Sequence, residues 1–442
     1  MECNCVMCKN NKHFELPVEI IEAAINNELV VFCGAGISTE NKNVLPYSFY
    51  TSIQSELNLS DSSISFSNLM QQYCCSRPNG RKKLLKNIHE RLEYIDSFPE
   101  LKRAATRFHR ELAEMHMIRT IITTNWDCYF EEYCKAIPIT IPEDFAFWDN
   151  NSRYVIKIHG SINNVGSIIA TTDDYKKCYD SLQNGIIGAT MKNILATKTV
   201  VFIGFSFGDE DFSQIIEYLR TEMGDIFPHI YIVTVDETLG ERLNYKNSTC
   251  IVTDGTYFIH RLKEELCKKE CIVNVNSKHF IEEALDVMQD FHAKSSKIDI
   301  KNNPSAIYNL FYQDGVIHSF ERFISMYGTG EYNQPGRIPA LARNYELLVS
   351  DAHKEGSYCD EAYYEGYMNG LILIEACNNE PKAIYYFPYL YLPNAKQELT
   401  TYDVFLEELK RLSSKKDKYI KYAKSILGGK NFDDLVVHHP PY

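Results

Sequence analysis

Short apolar runs alternate with longer amphipathic stretches through most of the chain, a pattern that predicts parallel strands covered by helices. Strand-like runs occur at Leu29–Cys33, Ile118–Thr123, Tyr154–Ile158, Ser167–Ala170, Thr199–Ile203, His229–Val235 and Cys250–Thr253. The run Val200-Val201-Phe202-Ile203 is apolar at every position, as a strand buried on both faces requires, which puts it in the middle of the sheet. Between the first two strands, from Tyr47 to Met115, helix formers dominate and Leu84, Leu85, Ile88 and Leu92 recur at helical spacing. This predicts a helical insertion whose basic stretches, Arg81-Lys82-Lys83 and Arg103 to Arg110, read as solvated helix faces.

The pattern changes after Phe280–Phe291, where His292 to Lys297 and Lys301 to Ser305 are polar, small and proline-bearing. Such a stretch marks a domain boundary. The chain is therefore expected to divide into a tail (1–15), an α/β domain (16–291) and a C-terminal domain (305–442). The last is rich in tyrosine, with Tyr363, Tyr364, Tyr367, Tyr385, Tyr386, Tyr389 and Tyr391, and shows helical periodicity over 367–374 and 402–412. Most of these aromatics read as core, with a protein–protein surface as the alternative. The expected fold class is α/β: a Rossmann-like parallel sheet with a helical insertion, followed by a mainly helical C-terminal domain. A chain of 442 residues is long enough for two cores.

Composition narrows the function classes. Hydrophobic residues at 45% and charged residues at 24% describe an ordinary folded chain. A net charge of −13 argues against direct nucleic-acid binding. No apolar run approaches the roughly 20 residues that span a bilayer, and Met1-Glu2-Cys3-Asn4-Cys5 lacks the order of a signal peptide. The expected setting is the cytoplasm, with no membrane association. The 14 cysteines are scattered through apolar segments, as at Cys33, Cys128, Cys250 and Cys377, and read as buried thiols. Cys3, Cys5 and Cys8 with His13 are spaced closely enough for zinc, yet the second ligand pair is missing, so no metal is expected.

Candidate chemistry gathers where strands end. The first strand runs into Gly34-Ala35-Gly36-Ile37-Ser38, a turn whose glycines let backbone approach a pyrophosphate; tight turns are also glycine-rich for structural reasons alone. The second ends in Thr123-Thr124-Asn125-Trp126-Asp127, placing an amide and a carboxylate at the edge where open α/β sheets bind ligands. Helix capping is the alternative for both side chains. A third strand ends in Lys157-Ile158-His159-Gly160-Ser161. A fourth edge carries Gly204-Phe205-Ser206-Phe207-Gly208-Asp209-Glu210-Asp211, a turn suited to ribose or phosphate. Asp236 closes the strand Tyr231–Val235, where an acid would accept from ribose hydroxyls.

In this order, Gly-Ala-Gly-x-Ser, Thr-Asn-x-Asp, His-Gly and Gly-x-Ser, the chain resembles the sirtuin superfamily from about Leu16 to Leu266. The resemblance implies an NAD site: Gly34, Ala35, Gly36 and Ser38 on the pyrophosphate, Asn125 and Asp127 in the nicotinamide-ribose pocket, and His159 as the catalytic histidine. Gly204 and Ser206 would hold the adenosine half, with Thr124 and Asp236 as further cofactor contacts. Two departures separate the chain from sirtuin deacylases. Their Ile-Pro-Asp-Phe-Arg-like loop is replaced by Thr39-Glu40-Asn41-Lys42-Asn43-Val44-Leu45-Pro46, and where they carry two zinc-binding cysteine pairs, Ser161 to Lys198 contains only Cys178. Ile168 to Tyr175 and the acidic turn look instead like the sirtuin-like NAD hydrolases of bacterial antiphage defence, as in Thoeris effectors and the partners of HerA-type ATPases. That likeness implies a regulated hydrolase that converts NAD to nicotinamide and ADP-ribose, works as a homo-oligomer, and acts with a HerA-type ATPase or another defence partner. A catalytically silent NAD- or ADP-ribose-binding subunit and a protein-lysine deacylase are the alternatives.

Overall fold

The computed structural model describes residues 11, 13–61, 63–148, 152–205, 217, 220–224, 228–238, 247–272, 275–334, 336–413 and 417–428. Backbone contacts divide the chain into two units, Met1–Ile272 with Gly328–Gly330, and Val273–Tyr327 with Glu331–Tyr442.

The first unit is built on a parallel sheet of seven strands among the described residues: β1 (Leu29–Cys33), β2 (Thr120–Thr123), β3 (Ile137–Ile139), β4 (Tyr154–Lys157), β5 (Thr199–Ile203), β6 (Ile230–Thr234) and β7 (Ser248–Val252). Their order is β3-β4-β2-β1-β5-β6-β7. The expected α/β class and the interior place of β5 are both realised. Register pairs Cys33 with Thr123 and with Ile203, and Thr123 with Lys157. Four strands therefore end at one level, and the turns that follow them share one edge.

Both faces of the sheet are apolar because both are covered. Val31, Cys33, Ile121, Val155, Val201 and Ile203 share a core with helices α1 (Val18–Ile25), α6 (Arg107–Ala113), α7 (Tyr129–Cys134) and α10 (Gly255–Lys268). Val30, Phe32, Ile122, Ile156, Val200 and Phe202 pack instead with α8 (Thr172–Asn184) and α9 (Ile186–Thr197). The expected helical insertion comprises α2 (Phe49–Glu56), α3 (Phe66–Cys75), α4 (Gly80–Ser97), α5 (Pro99–Ala105) and α6. Ser48 caps α2 and Ser65 caps α3 through their hydroxyls.

A buried cation fastens this insertion to the sheet. Arg153, immediately before β4, is 2% exposed and donates to the carbonyls of Ile118 (2.9 Å), Ala113 (3.1 Å), Cys134 (3.3 Å) and Met115 (2.5 Å). Ala113 and Cys134 are the last residues of α6 and α7, so the guanidinium sits among carbonyls that helix ends leave unpaired.

Two elements differ from expectation. Ser167–Ala170 is not a strand: Ile169 donates to His159 O (3.0 Å) and Ala170 to Asp174 Oδ2 (3.1 Å). A helix cap and a loop contact take the hydrogen bonds a ladder would have used. Conversely β3 was hidden by Pro138, which lacks an N–H and is tolerated because β3 is an edge strand.

The second unit is helical, with α11 (Val275–Ser295), α12 (Ala306–Met326), α13 (Arg337–Glu355), α14 (Tyr358–Asn379), α15 (Tyr402–Ser413) and α16 (Lys418–Leu427). Ile281, Ala284 and Met288 of α11 belong to its core, so the division falls at the start of this helix, ahead of the polar stretch 292–305. Helices α12 and α14 touch at backbone distance: a Cβ on Gly315 would lie 2.1 Å from Tyr363 O, and one on Gly366 2.0 Å from Tyr312 O. Tyr308, Tyr312, Tyr363 and Tyr367 are buried here, while Tyr385 and Tyr386 are exposed. No described helix is long and apolar enough to cross a membrane.

His109 on α6 is fully buried, and desolvation lowers its pKa to about 4. The unfolded chain takes up this proton near pH 6.5 and the folded one does not, so stability falls as pH drops below 6.5. Between pH 8 and pH 5 the loss should be about 2 kcal/mol. Urea titrations of wild type and His109→Gln at both pH values test this; parallel pH dependences would refute it.

Candidate functional site

At the shared edge, the first turn and the fifth strand meet backbone to backbone. Gly34 N donates to Ile203 O and Gly36 N to Gly204 O, each at 2.9 Å. A Cβ on Gly34 or Gly36 would stand 2.7 Å from Gly204 O. Gly204 itself has φ +82°, and a Cβ there would meet the Ile37 side chain at 2.6 Å, so all three positions require glycine. The Ile37 and Ser38 amides turn back to Gly34 O (3.4 Å) and Ala35 O (3.1 Å). Ala35 and Gly36 are half-buried at the surface of this turn.

The turn delivers Ser38 to the end of β2. Ser38 is fully buried, and its Oγ donates to Asp127 Oδ2 (2.9 Å) while accepting from Asn125 Nδ2 (3.2 Å). Asp127 Oδ1 accepts from Tyr129 N (3.2 Å), so both carboxylate oxygens are engaged. Thr123 Oγ1 donates to Cys33 O (3.0 Å) and accepts from Asn125 N (3.0 Å), holding the β2 turn against β1. The half-buried Thr124 donates its amide to Cys33 O (3.2 Å). These bonds fix the Asn125 amide with its nitrogen toward Ser38. Its Oδ1 is buried without a partner, as is the indole Nε1 of Trp126. Buried polar atoms left unpaired mark a place that a ligand or water completes.

His159 lies two residues beyond Lys157, at the same edge, and is 4% exposed. Its ring meets Tyr175 of α8 edge-on at 5.1 Å. Gly160 follows with φ +79°, and a Cβ there would lie 2.1 Å from Ser167 O. That left-handed turn sends the chain back past the histidine.

Asp236 stands at the end of β6, half-buried, where Oδ1 accepts from Thr238 N (2.9 Å) and Oγ1 (2.8 Å). Direct hydrogen bonds thus join Ser38, Asn125 and Asp127. Gly204 abuts the same turn, His159 shares the edge, and Asp236 sits two strands from β1. Ser206 and the acidic turn to Asp211 lie outside the described residues, as do Cys3, Cys5 and Cys8. Among the described residues no cluster of histidine, cysteine, aspartate or glutamate is arranged to hold a metal.

Sequence reasoning passed over Lys157. Its side chain is 1% exposed and its Nζ donates to Asp127 O and pairs with Glu131 Oε1 (2.9 Å). Burial raises the Glu131 carboxyl above the usual carboxylate range, against the pull of Lys157. A lysine inside the otherwise apolar Tyr154-Val155-Ile156-Lys157 was the available signal.

Residues 119–253 match the family model of the SIR2-like domain. Over that stretch the chain is similar to SIR2-like domains. It is 23% identical over 321 residues to Defense-associated sirtuin 2 of Bacillus subtilis, covering 66% of this chain and 31% of that protein. It is 28% identical over 205 residues to NAD(+) hydrolase ThsA of Enterococcus faecium, covering 45% of this chain and 41% of the relative. The ThsA of Cytobacillus dafuensis is likewise 28% identical, over 212 residues, 47% of this chain and 41% of its own length. The chain thus spans less than half the length of the relatives it matches. Within it, the SIR2-like match takes in β2, β4 and β5 with Asn125, Asp127 and His159, while the Gly34–Ser38 turn precedes it.

Ser38→Ala strips Asp127 Oδ2 of its donor and should cost about 1–3 kcal/mol of stability. A double-mutant cycle with Asn125→Ala should show coupling of about 0.5 kcal/mol or more. Additive urea-denaturation energies would mean that the hydroxyl does not link the two strand ends.

Proposed function

We propose that the SIR2-like domain hydrolyses NAD at the nicotinamide–ribose bond. The observation that carries this reading is the fixed Asn125–Ser38–Asp127 chain, which leaves a buried acceptor open at the edge shared with His159. The names of the relatives, NAD(+) hydrolase ThsA and Defense-associated sirtuin 2, support the same chemistry.

Breaking the bond between the ribose and the nicotinamide nitrogen releases a neutral base and leaves positive charge on the sugar. Asp127, held by Ser38 and the Tyr129 amide, supplies negative charge in a low-dielectric setting, where it acts more strongly than in water. Asn125 Oδ1 accepts a hydrogen bond from a ribose hydroxyl or the attacking water. His159 takes the proton from that water as its oxygen bonds to the anomeric carbon. The products are nicotinamide, ADP-ribose and one proton.

Gly34, Ala35, Gly36 and Ser38 border the pyrophosphate in this reading, with Gly204, Ser206, Thr124 and Asp236 toward the rest of the dinucleotide. No metal takes part in this reading. The missing cysteine pairs favour water over an acylated lysine as acceptor. Acting in the cytoplasm, such an enzyme depletes NAD on activation, with the helical C-terminal unit as the element of control or assembly. A homo-oligomer and a HerA-type ATPase or another defence partner complete the proposed system.

Purified His159→Ala should release nicotinamide about 10²–10⁴-fold more slowly than wild type, and Asn125→Ala should be similarly impaired, with thermal unfolding of His159→Ala near that of wild type. Assays run with neighbouring-gene products present decide it; turnover at the wild-type rate by either variant would refute the assignment.

A further inference from the structure

The loop from Thr39 to Tyr47 leaves the site at Ser38 and is fastened to helix α4. Asn41 Nδ2 donates back to Gly36 O (3.2 Å). Val44 and Leu45 are buried in a small core with Ile95 of α4, Ala105 and Tyr129. Between these anchors lies one guanidinium. Arg91 Nη2 is 3.0 Å from Glu40 Oε1, 3.0 Å from Tyr47 O and 3.3 Å from Thr39 O. Its carbon lies 5.4 Å from the centre of the Tyr47 ring, and the side chain is 10% exposed. Glu40 Oε2 accepts from Phe49 N (2.9 Å), the first residue of α2. A single arginine thereby ties both ends of the loop and the start of the next helix to α4.

The same helix reaches the opposite side of the site. Arg81 donates to Ile168 O (2.7 Å) and pairs with Asp174 Oδ2 (2.6 Å). Ile169, next in the chain, donates to His159 O. Helix α4 therefore grips the segment after β1 with Arg91 and the segment after β4 with Arg81.

We propose that Arg91 is a positioning residue that holds loop 39–47 in the shape that admits the dinucleotide, an assignment resting on the NAD-cleaving reading above. Lysine is a partial substitute here: the three contacts all fall on Nη2, and an ammonium on a shorter stem keeps the charge but not the planar guanidinium beside the Tyr47 ring. Removing the guanidinium strands the half-buried Glu40 carboxylate and frees two carbonyls, so the loop opens. Asn125 and His159 each follow the end of a strand, β2 and β4, by two residues and stay in place.

Arg91→Met, Arg91→Lys and Glu40→Gln test this, with His159→Ala as the inactive reference. For Arg91→Met, KM for NAD should rise about tenfold with kcat within about twofold, the signature of lost substrate binding. Arg91→Lys should lie between Arg91→Met and wild type, and Glu40→Gln should follow the same direction. Amide hydrogen exchange should quicken severalfold over 39–47 and stay unchanged over 120–127. Unchanged exchange in the loop, an unchanged KM, or exchange accelerated evenly across the whole domain would each overturn the proposal. If wild type itself releases no nicotinamide, the NAD reading fails, and the loop-specific exchange alone then decides for or against the clamp.

Discussion

The close approach of the turns after β1 and β5 is the constraint on which the site depends. Gly34, Gly36 and Gly204 have no room for a side chain, and the backbones bond directly across the gap. This contact fixes where the chain emerges from β1 and hence where Ser38 arrives. Because β1, β2, β4 and β5 end in register, Ser38 meets Asn125 and Asp127 from the neighbouring strand without any long side chain having to reach. The glycines are thus explained by packing first; their value for a phosphate-bearing ligand follows from the same openness.

Two buried cations extend this logic. Arg153 collects carbonyls from helix ends, and Lys157 joins the Asp127 carbonyl to Glu131. Removing either would leave carbonyls or a carboxylate unpaired in a dry setting, which is more damaging than the bonds themselves are stabilising. Both cations sit at β4, the strand that carries His159 toward the edge. The strand is anchored below the histidine by Arg153 and beside it by Lys157, so the imidazole inherits its place from a rigid frame.

The helical insertion and the C-terminal unit use different means. In the insertion, arginines on α4 reach out to the loops after β1 and β4, whose Val44, Leu45, Ile168 and Ala170 are themselves buried. In the C-terminal unit, glycines let α12 and α14 touch and tyrosines fill the remainder. Tyr312 stacks on Tyr391 at 4.9 Å and donates its hydroxyl to Pro388 O, so this ring both packs and finds a hydrogen-bond partner.

By itself the sequence determined the parallel sheet, the helical insertion and the clustering of Ser38, Asn125, Asp127 and His159 near strand ends, because apolar runs and glycine-rich turns are local signals. It could not reveal β3, since Pro138 obscures an edge strand, nor that Ser167–Ala170 would give its hydrogen bonds to a cap and to His159 O. The placement of α11 in the second unit was likewise hidden, because a helix does not announce which core its apolar face joins. Tertiary structure alone decided that Ser38 would bridge Asn125 and Asp127, and that Lys157 and Arg91 would matter. Those contacts join residues far apart in number, such as Ser38 with Asp127 and Glu40 with Arg91. Such pairings arise from strand register and helix packing, and neither is written in the spacing of residues along the chain.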